Sequence, residues 1–267
     1  MPAQPPARPT AAPEAFVRAA CLLRPVPQVE EVRLHLAEDV IGLWQRTEDE
    51  FGAGQPPPFW AFAWPGGQAL ARYLLDHPET VAGRRVLDVG SGSGLVAIAA
   101  ALAGAPAVLA SEIDPVAAAA LRLNAQANGV PVPALLGDVL DGDGEGAGLV
   151  LAGDLWYDRA LAGRVLGLLE RARARGAAVL TGDIGRAFLP RGRFRVLDTR
   201  DVQVVADLED ATVKQAMVWA LRPARHPQPQ PARRPPAPAT RTRQPSAGQR
   251  RASGASRPHQ PHQEGLS

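Results

Sequence analysis

The stretch Asp88-Val-Gly-Ser-Gly-Ser-Gly94 decides the fold, because it joins the short apolar segment Arg85–Val89 to a second apolar segment, residues 95–103. The first segment is typical of a buried strand and the second of a helix. Glycines at positions 90, 92 and 94 let the main chain turn tightly and approach a ligand closely. In open α/β sheets, ligands bind beyond the carboxyl ends of the strands. The stretch therefore predicts a strand–loop–helix unit with a ligand site.

The spacing of the glycines indicates the kind of ligand. A dinucleotide-binding loop needs glycine at its first, third and sixth positions. Counted from Gly90 the sixth position is Leu95, and counted from Gly92 it is Ala97, which meets only the looser form of the pattern. A loop that binds nucleoside triphosphates requires a lysine after its glycines, and this chain has none there. Asp88 opens the loop and suits a ligand that carries a cationic ammonium group.

The rest of the chain alternates between strand and helix patterns, which predicts an α/β fold with a parallel sheet covered on both faces. The last two strands have no helical pattern between them, so we expect an antiparallel hairpin at one sheet edge. An additional strand is predicted at Val29–Leu36. The remaining predicted strands are 85–89, 107–111, 132–136, 148–152, 177–181, 194–205 and 212–221, and the predicted helices are 65–75, 95–103, 115–128 and 159–175.

Composition divides the 267 residues into three parts. Residues 1–13 are rich in Pro and Ala and are predicted to be disordered. Residues 14–221 carry the apolar segments and form one predicted domain. Residues 222–267 contain almost no large apolar side chain, so burial cannot offset their chain entropy and they are also predicted to be disordered.

Charge is concentrated in the C-terminal part. Nine arginines and one glutamate give residues 222–267 a charge of +8, which leaves −6 for residues 1–221 because the whole chain carries +2. Such a tail can bind nucleic acid or an acidic partner, but it has no aromatic side chain to stack on bases. We predict weak, nonspecific nucleic-acid contact, and one alternative function is a nucleic-acid-binding protein whose domain is a scaffold.

Several features narrow the class of protein. Cys21 is the single cysteine, which excludes an intrachain disulfide framework and a multi-cysteine metal site, and we predict no metal. No apolar run is long enough to suggest a membrane span. The N-terminal segment lacks the charged start and apolar stretch of a secretory signal. We therefore expect a cytoplasmic protein without a membrane segment, present as a monomer.

Carboxylates follow two further predicted strands. Glu112 lies at the end of the predicted strand 107–111, the next strand after the one that precedes the glycine loop. A carboxylate at this place can accept both hydroxyls of a ribose. Asp114 precedes Pro115 and is a plausible N-cap for the next helix. Asp138 follows the next strand and either meets an adenine amino group or is a turn aspartate.

The loop, Glu112 and Asp138 occur in the order and spacing of class I S-adenosylmethionine-dependent methyltransferases, which the chain resembles over about residues 58–221. The resemblance implies a Rossmann-like sheet of seven mostly parallel strands, with helices on both faces and a C-terminal antiparallel strand. It also implies S-adenosylmethionine as the cofactor, held by Asp88, Gly90, Gly92, Gly94, Glu112 and Asp138.

The fourth strand of that sheet is followed by Asp154-Leu-Trp-Tyr157. This run resembles the Asp/Glu-x-x-Tyr/Phe motif of a group of protein lysine methyltransferases and lacks the prolines found in enzymes that methylate base amines. The segments 58–67 and 182–190, and Leu208-Glu-Asp with Lys214, resemble the electron transfer flavoprotein β-subunit lysine methyltransferase and its bacterial relatives. The resemblance implies an acceptor lysine on that subunit or on a ribosomal protein.

Roles for the acceptor side follow from this resemblance. Asp154 is expected to orient the lysine amine, with Trp156 and Tyr157 against the lysine stem and head. Trp60 and Trp64 are expected to close the site and cover the cofactor. Two alternatives stay open from the residues alone: Asp154 caps the helix near Arg159, and the tryptophans are core residues. A small-molecule amine is the alternative acceptor.

Overall fold

The computed structural model describes residues 12–203 and 212–223, which contain six α-helices and nine strands. The predicted tail and the predicted disordered start lie almost wholly outside these residues. The helices are α1 Pro13–Ala20, α2 Val40–Phe51, α3 Pro65–Asp76, α4 Leu95–Leu102, α5 Pro115–Ala127 and α6 Arg159–Ala174. The strands are β1 Leu22–Val26, β2 Val29–Leu36, β3 Arg85–Val89, β4 Ala107–Glu112, β5 Ala134–Leu136, β6 Leu149–Gly153, β7 Ala178–Asp183, β8 Phe194–Gln203 and β9 Val213–Leu221.

Seven strands form one sheet in the order β5-β4-β3-β6-β7-β9-β8. The first five in that order are parallel, and β9 is antiparallel to both β7 and β8. The predicted Rossmann-like, mostly parallel sheet with an antiparallel C-terminal strand is confirmed. The chain runs outward from β3 to β5 and returns to place β6 on the other side of β3. This reversal opens a crevice at the carboxyl ends of β3 and β6, where open α/β sheets bind ligands.

Helices cover both faces because successive side chains of each strand point to opposite sides. In β3, Val86 joins a buried cluster with Leu70 of α3 and Ile98 of α4. The next residue, Leu87, joins a second cluster with Leu168 of α6. Both faces are therefore apolar, which is why the central strands are continuous apolar runs in the sequence. Burial of each of these aliphatic side chains contributes about 1.5–3 kcal/mol.

The helix ends agree with the predicted caps. The Asp114 side chain accepts a hydrogen bond from the main-chain N–H of Val116 at 2.7 Å, which caps α5. Gly129 follows α5 with a φ of 67°, as expected for the residue after a helix. The cap of α6 is Asp158, which accepts from the main-chain N–H of Leu161 at 2.8 Å. The alternative that Asp154 caps this helix is therefore wrong.

The N-terminal part contains more regular structure than the sequence predicted. Only β2 was expected, and the structure adds α1, β1 and α2. Helix α1 begins at Pro13, one residue before the predicted domain, and Phe16 on α1 packs in a buried cluster with Val116 of α5. The Asn124 side chain of α5 accepts from the main-chain N–H of His35 at 2.8 Å and donates to the carbonyl of Ser93 at 2.8 Å. This asparagine ties the β1–β2 hairpin to the glycine loop.

Candidate active site

A cavity of about 460 Å³ opens at the carboxyl ends of β3, β4 and β6. Its volume lies within the range of roughly 300–1,000 Å³ that small-molecule sites occupy. Most of the residues that the sequence singled out meet here although they are far apart along the chain. The lining includes Trp60, Trp64, Asp88, Gly90, Gly92, Glu112, Asp138, Asp154 and Tyr157.

The glycine loop lies along one wall of the cavity. Gly92 has a φ of 53°, and a Cβ added there would lie 3.7 Å from the Cα of Trp60, inside the space between the loop and that residue. Gly94 also has a positive φ, but its added Cβ would meet Leu121 of α5 at 3.1 Å and it does not line the cavity. The absence of a Cβ at Gly94 lets the loop pack closely against α5, and its contact with the cofactor remains a prediction.

Asp88 lies at the base of the loop and is 1% exposed. Burial raises the pKa of its carboxyl group to about 7. A hydrogen bond from the Ser91 hydroxyl at 2.5 Å opposes this shift. A buried carboxylate favours a cationic partner, because an opposite charge stabilises its ionised form. The site thus suits the ammonium group that the sequence predicted for the ligand.

Glu112 ends β4 beside the glycine loop and is 9% exposed. One carboxylate oxygen accepts from the main-chain N–H of Gly92 at 2.8 Å, and the other accepts from Ile113 at 2.7 Å and Asp114 at 3.1 Å. These three bonds fix the orientation of the carboxylate. An ionised carboxylate has about four acceptor positions, so one position remains, on the oxygen that accepts from Gly92. Contact with a ribose remains the prediction for this residue.

Asp138 lies at the rim of the cavity beside Arg164. Its carboxylate accepts from the Arg164 guanidinium at 2.8 Å and from the main-chain N–H of Leu140 at 2.9 Å. The hydrogen bond from Arg164 is the main cause that lowers the pKa of Asp138. The structure thus gives Asp138 the role of a turn aspartate, and its contact with adenine remains a prediction.

Asp154 directly follows β6 and has a φ of 56°, which is uncommon for a residue other than glycine. Its main-chain N–H donates to the carbonyl of Gly182 at 2.9 Å, which holds this conformation. One carboxylate oxygen accepts from the main-chain N–H of Gly67, in the first turn of α3, at 2.6 Å. The other accepts from the guanidinium of Arg186 at 2.5 Å. Strained residues of this kind cluster at active sites, where the surrounding contacts hold them in place.

Arg186 is a site residue that the sequence analysis did not single out. It lies three residues after β7, and its guanidinium also donates to Asp183 at 3.1 Å. Burial raises the pKa of Asp154 to about 6; Arg186 opposes this shift and Asp183 adds to it. The Arg186 guanidinium therefore favours the ionised form of Asp154. The signal available in the sequence was the position of Arg186 after the carboxyl end of a central strand.

Three aromatic side chains form the mouth of the cavity beside Asp154. The ring of Phe59 lies 5.6 Å from that of Trp64 and 5.8 Å from that of Tyr157, between ring centres. Phe59 is 45% exposed and Tyr157 is 50% exposed. A half-exposed aromatic mouth above a carboxylate can hold an aliphatic chain with a cationic head. Phe59 lies in the segment 58–67 that carries the family resemblance, but it was not predicted as a site residue.

The two remaining predicted tryptophans differ in position. Trp60 is 3% exposed and lines the cavity next to the glycine loop. Trp156 has no exposed surface and packs against Phe194, with 5.7 Å between the ring centres. Its indole N–H donates to the hydroxyl of Thr181 at 2.8 Å. The prediction that Trp156 contacts the acceptor lysine is wrong, because its side chain points into the core beneath α6.

This sheet order, with a glycine loop after β3 and an acidic residue after β4, defines a class I Rossmann-like methyltransferase domain. The sequence model of the family described as ribosomal protein L11 methyltransferase (PrmA) matches residues 69–152. The electron transfer flavoprotein beta subunit lysine methyltransferase of Danio rerio is 45% identical over 159 residues, which cover 59% of this chain and 61% of the relative. The Caenorhabditis elegans homolog of that enzyme is 32% identical over 180 residues, which cover 61% of this chain and 73% of the relative. The chain belongs to the electron transfer flavoprotein β-subunit lysine methyltransferase family.

Only part of each relative is matched. The chain covers 61% of the length of the Danio rerio protein and 65% of that of the Xenopus laevis protein. The cofactor of this class is S-adenosylmethionine, and the cavity suits it. The buried carboxylate of Asp88 matches its ammonium group, and Glu112 matches its ribose diol. Because Gly92 has no Cβ, the space beside it stays open for the cofactor. Within residues 12–203 and 212–223, no group of His, Cys, Asp and Glu side chains is arranged to hold a metal ion.

Proposed function

We propose that this protein uses S-adenosylmethionine to methylate a lysine side chain of a protein, and that the electron transfer flavoprotein β-subunit is its first substrate. One observation carries the proposal: a buried carboxylate, Asp154, lies at the bottom of an aromatic mouth next to the glycine loop. An amine that enters through the mouth meets Asp154 beside the cofactor site. This arrangement fits an extended side chain with a cationic head.

The residues divide the work between binding and orientation. When bound, the cofactor supplies an electrophilic methyl group on a sulfonium. Phe59, Trp64 and Tyr157 hold the lysine stem and exclude water, and Asp154 orients the amine by accepting a hydrogen bond from it. Free lysine has a pKa of about 10.4, so the site must also favour the neutral amine, which carries the lone pair. Catalysis on this account is mainly positioning and desolvation.

The choice of substrate rests on the relatives. The Danio rerio and Xenopus laevis relatives, which are 45% and 44% identical over 159 and 163 residues, are named for the electron transfer flavoprotein beta subunit. The family model that matches residues 69–152 is named for ribosomal protein L11, which makes a ribosomal protein the second candidate. The exposed aromatic mouth favours either protein over a small-molecule amine, because a macromolecular acceptor can insert one side chain through it.

The test is transfer of a tritiated methyl group from S-adenosylmethionine to purified substrates. The β-subunit and ribosomal protein L11 from the same source are incubated separately with the wild-type protein and with Asp154→Asn. We expect label on the β-subunit that Asp154→Asn abolishes. Label on L11 alone would replace the first substrate by the second. Label on neither protein, with label on a small amine from a desalted extract, would overturn protein methylation.

We also propose three further properties of this protein. The location is the cytoplasm, the protein is a monomer, and the tail binds nucleic acid weakly through its arginines. No helix among the described residues is long and apolar enough to cross a membrane. Cell fractionation tests the first property and light scattering the second. Removal of residues 224–267 tests the third, since RNA retention at low salt should be lost while methyl transfer is kept.

A further inference from the structure

Three charged side chains meet at the inner end of the acceptor cavity. Asp154 follows β6, Asp183 ends β7 and Arg186 lies in the loop after β7. The same nitrogen of the Arg186 guanidinium donates to Asp154 at 2.5 Å and to Asp183 at 3.1 Å. The exposed fractions of the side chains are 16% for Arg186, 8% for Asp154 and 0% for Asp183. Arg186 therefore joins two buried carboxylates while its own side chain still lines the cavity.

Other contacts fix Arg186 in this place. The main-chain N–H groups of Gly185 and Arg186 both donate to Asp183 at 2.6 Å, which closes the loop around the aspartate. The guanidinium carbon lies 5.9 Å from the centre of the Trp64 ring, so the arginine also faces the aromatic mouth. Its position is set by the end of β7 and by the start of α3.

This arrangement bears on the protonation of the acceptor amine. A carboxylate beside an ammonium group favours its charged form, and a neighbouring cation favours its neutral form. Two ionised carboxylates at this place would, without a cation beside them, favour the ammonium form of the lysine. Only the neutral amine has a lone pair for methyl transfer. The site therefore needs Asp154 for orientation and a cation to offset its effect on the lysine proton.

We propose that Arg186 is a positioning residue that shifts the acceptor lysine toward its reactive, neutral form by opposing the charges of Asp154 and Asp183. This inference rests on the proposed lysine methylation. Among the described residues, the charged groups that act on Asp154 are Arg186 and Asp183. Tyr157 faces the same cavity under the influence of Glu112 and Asp158, whereas α3 contributes the Gly67 N–H and the Trp64 ring. Arg186 thus supplies the positive charge at this corner.

The test compares Arg186→Gln with the matched variant Arg186→Lys, which retains the charge. Methylation of the β-subunit is followed from about pH 6.5 to about pH 9.5. For Arg186→Gln we expect the pH at which kcat rises to move upward by about one unit. At neutral pH this shift lowers kcat about tenfold, and the loss becomes smaller at high pH. KM for the β-subunit should not rise, because the ammonium form binds at least as well. Arg186→Lys should keep the wild-type profile.

Two results would overturn the inference. One is an Arg186→Gln profile that is lowered equally at every pH, and the other is a raised KM with an unchanged kcat. Calorimetric binding of S-adenosylhomocysteine to each variant shows that the cofactor site is intact. If wild-type protein labels no protein substrate, the proposed function fails, and the inference fails with it. If wild-type protein is active and the Arg186→Gln profile is unshifted, only the inference fails.

A second measurement uses the wild-type protein and so does not depend on the folding of a variant. The acceptor lysine of the β-subunit carries a carbon-13 label at Cε and is titrated by NMR in complex with the protein and S-adenosylhomocysteine. The sulfur of this product is an uncharged thioether, so the lysine pKa is measured without the sulfonium charge of the methyl donor. We expect a lysine pKa no higher than about 10.4, the value of the free side chain. A clearly higher pKa would show that Arg186 does not offset the carboxylates.

Discussion

The main-chain N–H of Gly92 donates a hydrogen bond to Oε2 of Glu112 over 2.8 Å, which joins the tip of the glycine loop to the carboxyl end of β4. The bond links the loop after β3 to the end of β4, which contribute different parts of the predicted cofactor site. It explains why a glutamate is suited to this position: its length lets the carboxylate reach the loop while it remains beside the cavity.

Replacement of Glu112 by alanine should weaken cofactor binding. The variant loses the predicted ribose contact and leaves the Gly92 N–H without its acceptor, so we expect at least a tenfold loss in affinity for S-adenosylhomocysteine, or about 1.4 kcal/mol. Calorimetry measures the affinity. The control is Asp114→Ala, which removes the cap of α5 and should lower stability by about 1 kcal/mol with little change in affinity. Equal affinity losses in both variants would contradict the ribose assignment.

Gly92→Ala should reduce cofactor affinity through the added methyl group. That group would occupy the space between the loop and Trp60, and the positive φ adds a strain of about 1 kcal/mol. Gly104→Ala is a matched control, because Gly104 has a φ of 94° and its added Cβ would have no neighbour within 4 Å. Both variants should lose similar thermal stability, but only Gly92→Ala should bind the cofactor more weakly. Unchanged affinity in Gly92→Ala would place the ligand elsewhere.

Cofactor binding should depend on pH through Asp88. Its folded pKa of about 7 exceeds the ordinary value of 3.8, so the folded chain without ligand holds this proton more tightly than the unfolded chain does. The stability from Asp88 is therefore fully present below about pH 4 and is lost as the pH rises through about 7. A cationic ligand favours the ionised form, so affinity should rise up to about tenfold per pH unit toward pH 7, with proton release.

Calorimetry in buffers of different ionisation enthalpy measures that proton release. In Asp88→Asn, which cannot ionise, the release and the dependence of affinity on pH below neutrality should both disappear. A variant that keeps the wild-type dependence would show that Asp88 is not the partner of the ammonium group.

Tyr157 and Trp156 are adjacent but should behave in opposite ways when replaced. Tyr157 is half exposed at the mouth, so Tyr157→Ala should raise KM for the β-subunit about tenfold with little effect on the melting temperature. Trp156→Phe removes a buried hydrogen bond to Thr181 and should cost about 1–3 kcal/mol of stability while methyl transfer is retained. Steady-state kinetics and urea unfolding separate the two effects. A Trp156→Phe variant that is stable but inactive would restore the lysine contact predicted from the sequence.

The sequence predicted the sheet well because periodicity and loop chemistry act locally. The run from Arg85 to Gly94 contains a buried strand and its glycine turn within ten residues, and the cap at Asp114 follows from its own neighbours. The N-terminal elements were missed for the opposite reason. Helix α1 is stabilised by α5, about a hundred residues away, and strand β1 by its pairing with β2. The apolar patterns of both elements are short.

The sequence predicted only part of the site, because some of its residues are placed by local signals and others by long-range contacts. Residues at the carboxyl ends of strands, such as Asp88, Glu112 and Asp154, can be located from the topology alone. The direction of the Trp156 side chain depends on a hydrogen bond to another strand, and the contact between Arg186 and Asp154 joins two loops. Neither feature leaves a periodic signal in the sequence, so both became visible only in three dimensions.

Methylation of a lysine of the electron transfer flavoprotein β-subunit is tested by tandem mass spectrometry. The β-subunit is first incubated with the protein and with S-adenosylmethionine that carries a deuterated methyl group. We expect deuterated methyl groups on the ε-amine of a lysine, present with wild-type protein and absent with Asp154→Asn. Control titrations should show that this variant still binds S-adenosylhomocysteine. Labelled lysine at the same level in both reactions would contradict the assignment of Asp154, and no labelled lysine with wild-type protein would contradict lysine methylation of this substrate.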